Sequence, residues 1–93
     1  MSENVVEQRL QITNELGMHA RAATKFVQTA NKYQSAVTVE KDGQSVNGKS
    51  IMGVLMLVAS KGTMVTLKAK GDRAGEAVAA IAALIDDKFG EGK

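Results

Sequence analysis

Apolar and polar positions along the chain switch between two periods. Val6, Gln8, Leu10 and Ile12 alternate with Glu7, Arg9, Gln11 and Thr13, a two-residue period that reads as a half-buried strand. From Ala20 to about Asn31 the period lengthens and sets Ala23, Phe26, Val27 and Ala30 on one helical face. Val37 and Val39 then alternate with Thr38 and Glu40, Asp42-Gly43 carries the signal of a hairpin turn, and Gln44 to Asn47 forms a short return strand. Ser50 is placed to cap a short helix carrying Ile51, Val54, Leu55 and Val58, which Lys61-Gly62 brings to an end. Val65, Leu67 and Ala69 alternate with Thr66, Lys68 and Lys70 as a fourth strand, and Gly71-Asp72 turns the chain. A last helix, from about Ala74 to Lys88, aligns Val78, Ile81, Ala82, Ile85 and Phe89 in one stripe. Gly90 to Lys93 are expected to fray.

The predicted order is βαββαβα. Strict alternation means one wet face per strand, which belongs to an antiparallel sheet rather than a parallel one buried on both sides. The helices are then expected on the other face, giving an α+β fold of four antiparallel strands. The 93 residues make one domain, with its core at about residues 5–89. Phe26, Tyr33 and Phe89 are the only aromatics, so that core must be aliphatic.

Composition narrows the function. With no cysteine there is neither a disulfide nor a thiolate metal site. No apolar run nears the roughly 20 residues that cross a bilayer. The start, Met1-Ser2-Glu3-Asn4, lacks the basic-then-apolar form of a signal peptide, so a cytoplasmic protein is expected, with no membrane insertion. A net charge of +2 and a near absence of stacking aromatics argue against nucleic acid. A small RNA-binding or ligand-sensing domain stays as a competitor, and loss of binding with salt would be its mark.

The chain has one histidine, and it falls where the first helix is predicted to begin. Asn14 to Gly17 turns the chain out of the first strand, and His19 follows. Free backbone N–H groups and the positive end of the helix dipole suit an anion there, phosphate above all. Arg21 adds a cation able to pair with phosphate oxygens. The acidic residues are not clustered in sequence, and neither a metal site nor a catalytic triad can be assembled. One nucleophile that accepts a phosphoryl group and passes it on is the chemical reading, with no cofactor. A surface histidine beside a helix cap is the plain alternative. Ile51, Met52, Leu55 and Met56 give the short helix more apolar surface than one buried face can use, which suggests a docking patch. Lys25, Lys49 and Lys61 are expected to rim it with positive charge.

Gly43-Gln44-Ser45-Val46-Asn47-Gly48-Lys49-Ser50 matches the pattern of a nucleotide-binding P-loop. The strand before it alternates in polarity, whereas a P-loop strand is central and apolar on both faces. Asp42-Gly43 serves better as a hairpin, so the P-loop fragment is kept only as an alternative from another class.

The segment Asn14-Glu15-Leu16-Gly17-Met18-His19-Ala20-Arg21-Ala22-Ala23 resembles the active-site signature of HPr, the family of histidine-containing phosphocarriers of the phosphoenolpyruvate-dependent phosphotransferase system. Asn47-Gly48-Lys49-Ser50-Ile51-Met52-Gly53-Val54 is similar to that family's regulatory serine region, at the matching separation. The resemblance covers nearly the whole chain. It implies an open-faced sandwich with three helices on one face of the sheet. It also implies that enzyme I phosphorylates His19 at Nδ1 and that enzyme IIA domains receive the group. Arg21 would stabilise the phosphate, and the amides of Ala20 and Arg21 would contact it. Ala20, Lys25, Lys49, Ile51, Met52, Leu55 and Met56 would form the docking surface. Ser50 would be phosphorylated by HPr kinase/phosphorylase in a host that has one. A nitrogen-type HPr paralogue, purely regulatory, is the nearest alternative. A monomer is expected. The family usually has proline where Ala22 stands, a change that bears on transfer rates more than on the fold.

Overall fold

A computed structural model describes residues 4–93. The reading of Met1, Ser2 and Glu3 as part of an N-terminus without signal character lies outside the described residues. The chain runs β1 (Val5–Gln11), α1 (Ala20–Ala30), β2 (Ala36–Lys41), β3 (Gln44–Asn47), α2 (Ile51–Leu55), β4 (Met64–Lys70) and α3 (Ala74–Asp86), followed by a 3-10 turn at Lys88–Gly90. This is the expected βαββαβα order. The strands form one antiparallel sheet in the order β1-β4-β2-β3.

Alternation sorts the two central strands, β2 and β4, between core and solvent. Val65, Leu67 and Ala69 of β4 and Val37 and Val39 of β2 are buried, while Thr66, Lys68, Thr38 and Glu40 point to the open face. The cross-strand register sets Val39 beside Leu67, and Leu67 beside Gln8. On the covered side lie Ala22, Ala23, Phe26, Val27 and Ala30 of α1 with Ala77, Val78, Ile81 and Ile85 of α3. Phe26 and Phe89 are the largest side chains sealed in this otherwise aliphatic core.

The β2–β3 turn has positive φ at both central residues, Asp42 at 50° and Gly43 at 82°, as a two-residue hairpin of this hand requires. It also removes the P-loop alternative. Gly43 is a hairpin residue, Gln44–Asn47 is an edge strand antiparallel to its neighbour, and the helix that follows has only five residues.

Three local expectations need correction. The helix after Ser50 stops at Leu55, so Val58 is not on it. Val58 has a φ of 50° and is 73% exposed, and its N–H donates to the Leu55 carbonyl at 3.1 Å, closing the turn that ends the helix. The last helix ends at Asp86, and Phe89 reaches the core from the 3-10 turn with a φ of 55°. A left-handed backbone at Lys88 and Phe89 swings the ring inward where a straight helix would have carried it along the same stripe. Gly90 to Lys93, expected as a loose end, are instead placed against the fold: the Glu15 N–H donates to the Lys93 carbonyl at 2.9 Å, and the Glu91 carboxylate is bound by the side chains of Asn14 and His19.

Candidate functional site

His19 is the N-cap of α1. Its extended backbone (φ −77°, ψ 178°) turns the chain into the helix, and its carbonyl accepts the Ala23 N–H at 2.8 Å. The ring also caps the helix, since Nδ1 accepts the Arg21 backbone N–H at 3.2 Å. The side chain keeps 27% of its surface in solvent. This is the helix-start position that the sequence predicts.

The loop before it is tightly held. Asn14 is fully buried, and its Nδ2 donates to the Gly17 carbonyl at 2.8 Å. The Met18 N–H donates to the Ala59 carbonyl at 2.8 Å, tying the loop to the segment that leads into β4. Gly17 is required at that crossing. Its φ is 65°, and a Cβ there would lie 2.6 Å from the Ala59 oxygen. Two separate stretches of chain therefore fix where His19 stands.

A third stretch reaches the ring from the C-terminal end. His19 Nε2 pairs with Glu91 Oε2, and the other carboxylate oxygen, Oε1, accepts the Asn14 Nδ2 donor at 3.0 Å. Lys25 Nζ donates to the Phe89 carbonyl at 2.6 Å and so anchors the tail to α1. Burial pushes the Glu91 carboxyl up. The hydrogen bonds from His19 and Asn14, with the charges of His19 and Lys25, outweigh burial and hold it below the ordinary carboxylate value. Sequence reasoning missed Glu91 and treated Asn14 only as a turn residue. Seventy-two positions separate Glu91 from His19, and no short-range pattern spans that distance.

The other candidates distribute as follows. Ala20 and Arg21 are exposed on the first turn of α1, and the Arg21 backbone N–H faces the ring. Leu55 lines an open depression together with His19, Leu16, Met18, Val58, Ala59 and Ser60. Ile51, Met52 and Met56 are exposed on and just after α2, which packs against α1. Leu16, 71% exposed, and Val58 extend this apolar surface and were not among the predicted docking residues. Of the three lysines expected to rim it, Lys61 is exposed, and the other two are less free than a simple rim would have them. Lys25 is tied to the tail, and Lys49 Nζ donates to the Tyr33 carbonyl at 2.6 Å, at the far end of α1. Ser50 Oγ accepts the Gly53 N–H at 3.0 Å, the expected cap.

His19 is thus accessible at a helix start, beside an open apolar surface rather than inside a closed pocket. Known proteins carry the same fold and segment order. The family described as "PTS HPr component phosphorylation site" matches residues 6–87. The phosphocarrier protein HPr of Neisseria meningitidis is 48% identical over 89 residues, which is 96% of this chain and 100% of that protein. A crystal structure of HPr from Thermoanaerobacter tengcongensis superposes with a TM-score of 0.90 at 50% identity, covering 92% of this chain and 97% of that one. The Crh protein of Bacillus subtilis, a catabolite-repression relative crystallised as an intertwined, domain-swapped dimer, has a TM-score of 0.73 at 44% identity, covering 89% of this chain and 95% of that one. The chain belongs to the HPr family of phosphocarrier proteins of the phosphotransferase system.

Proposed function

We propose that the protein carries phosphate on Nδ1 of His19, taking it from phosphorylated enzyme I and giving it to enzyme IIA domains. The observation that carries this reading is the position of Nδ1, turned toward the Arg21 amide at the start of α1. Amides at a helix start suit phosphate oxygens, and the macrodipole adds to their pull. The protein is modified and relieved of its modification by partners rather than turning over a substrate of its own. Its exposed Arg21 guanidinium neutralises charge during transfer.

The apolar surface of Leu16, Ile51, Met52, Leu55, Met56 and Val58 fits brief docking. Methionines adapt to more than one partner, as a carrier that meets a donor and several acceptors requires. Phosphorylation of Ser50 would place about two negative charges at the edge of that surface. A regulatory role at Ser50 follows, opposed to transfer through His19. The protein works in the cytoplasm as a monomer, and analytical ultracentrifugation distinguishes that state from an exchanged dimer of the kind crystallised for Crh.

Incubation with enzyme I and phosphoenolpyruvate is expected to add one acid-labile phosphate, at His19. His19→Ala is expected to fold and to accept none. Equal labelling of that variant overturns the carrier reading. A nitrogen-type, purely regulatory role would appear as normal labelling with no delivery to any sugar-specific enzyme IIA.

A further inference from the structure

We propose that Glu91, steadied by Asn14, is a positioning residue that selects the reactive nitrogen of His19 and counter-charges the ring while it carries phosphate. The proposal rests on His19 being the phosphoryl acceptor. Two contacts define the state of the ring. Nδ1 accepts a backbone N–H, so it holds a lone pair. Nε2 faces a carboxylate, which when ionised can only accept, so Nε2 holds the proton. Both contacts select the same neutral tautomer, with the nucleophilic lone pair aimed at the start of α1.

Glu91 is itself fixed. Asn14, buried and bonded at once to the Gly17 carbonyl and to Glu91, ties the carboxylate to the loop that carries His19. The arrangement of an amide, a carboxylate and an imidazole in series orients the ring as carboxylates orient metal-bound histidines. Glu91 approaches the Nε2 edge and leaves the Nδ1 edge to the phosphate, so the folded tail orients the ring without plugging the site.

The transfer balances without moving a proton. The Nδ1 lone pair attacks phosphorus, and the bond between phosphorus and the donor breaks with its electron pair leaving on the donor. The ring, now bonded at Nδ1 to phosphorus and at Nε2 to hydrogen, carries a positive charge beside the negative Glu91. When an acceptor attacks phosphorus, the Nδ1–P bond breaks, its electron pair returns to Nδ1, and the starting tautomer is restored. Among the described residues, Lys25 on α1 is the further charge that acts on Glu91, and it favours the ionised carboxylate.

The test uses the full chain with 15N-labelled histidine, as wild type, Glu91→Ala and Glu91→Gln. Nitrogen chemical shifts of the unmodified proteins read the tautomer. Wild type is expected to show one, with Nδ1 unprotonated, and Glu91→Ala a mixture of both. Reaction with phosphoramidate, a small phosphoryl donor, then reads the choice of nitrogen: Nδ1 alone in wild type, both isomers in Glu91→Ala. Glu91→Gln keeps an acceptor at Nε2 but loses the charge. It is expected to hold the wild-type tautomer, while the pH profile for loss of its phosphate moves down by about one unit. A single Nδ1-unprotonated tautomer and a single Nδ1 product in Glu91→Ala would overturn the proposal, as would an unmoved pH profile in Glu91→Gln. Failure of wild type to take phosphate from enzyme I defeats the acceptor reading instead, and the tautomers still decide the role of Glu91.

Discussion

At the scale of single residues, function and stability part company around the helix starts. Arg21 contributes its backbone N–H to the ring and leaves its guanidinium in solvent. Alanine keeps the first and removes the second, and it is a strong helix former. Arg21→Ala is therefore expected to slow phosphoryl transfer while changing the melting temperature little, and stopped-flow transfer alongside thermal melts checks both halves. Ser50 shows the opposite balance. Its Oγ accepts the Gly53 N–H, so Ser50→Ala is expected to lose about 1 kcal/mol of stability. Ser50→Asp keeps a cap and suits the helix start electrostatically, so it should melt close to wild type. Yet its charge lies beside Ile51, Met52 and Leu55, the surface proposed above for docking, where it would repel an acidic partner. Ser50→Asp is expected to accept phosphate from enzyme I much more slowly than Ser50→Ala, although it is the more stable. A transfer rate that tracks stability instead would leave Ser50 as a cap alone.

At the scale of elements, the segment after α2 carries a cost. Val58 is β-branched and sits at a φ of 50°, where non-glycine residues lose about 1–2 kcal/mol. It is largely exposed, so burial does not repay that loss. It does wall the depression that His19 shares with Leu16 and Leu55. If the proposed docking surface includes Val58, its strain has a use there. Val58→Gly is expected to gain about 0.5 kcal/mol, the relief of strain being partly offset by the greater freedom of an unfolded glycine. The same change should weaken docking, so a higher melting point with a raised KM in the enzyme I reaction is the expected pair of results. Wild-type KM would remove Val58 from the docking surface. Ala22, where the resemblance implies a proline, lies in the first turn before the intrahelical ladder begins at Ala23, so α1 forms without it.

At the scale of the whole molecule, the tail closes the fold onto the site. Glu91 is held below its ordinary value of 4.5, so the folded state binds its proton less readily than the unfolded state. The stabilisation it provides is complete above pH 4.5 and is lost as pH falls through the lowered folded value. Wild type is accordingly expected to melt higher than Glu91→Ala above pH 4.5, with the gap closing below it. A gap that persists undiminished in acid would show that the carboxylate charge does not hold the tail.

Much of this was legible in sequence because the signals are local. Period-two alternation in β1, β2 and β4, the 3.6 period of α1 and α3, the Asp42-Gly43 turn and the Ser50 cap each depend on neighbours within a few positions. The antiparallel sheet followed from alternation, since only a sheet with one wet face wants it. The place of His19 was legible for the same reason: a lone histidine at a helix start needs only the elements on either side. Val58, Phe89 and the tail were misjudged where the chain leaves regular structure, because periodicity carries on past the point where backbone strain or a distant contact ends the helix.

What the sequence alone determined is therefore the order and polarity of the elements and the place of His19 at the head of α1. Tertiary structure decided what surrounds that histidine. The two contacts that define its ring come from the amide at Arg21 and from a carboxylate 72 residues away at Glu91, which Asn14 holds in place. A hydrogen bond between side chains so far apart in sequence has no periodicity. It exists only once the sheet, α3 and the 3-10 turn have carried the end of the chain back to its beginning.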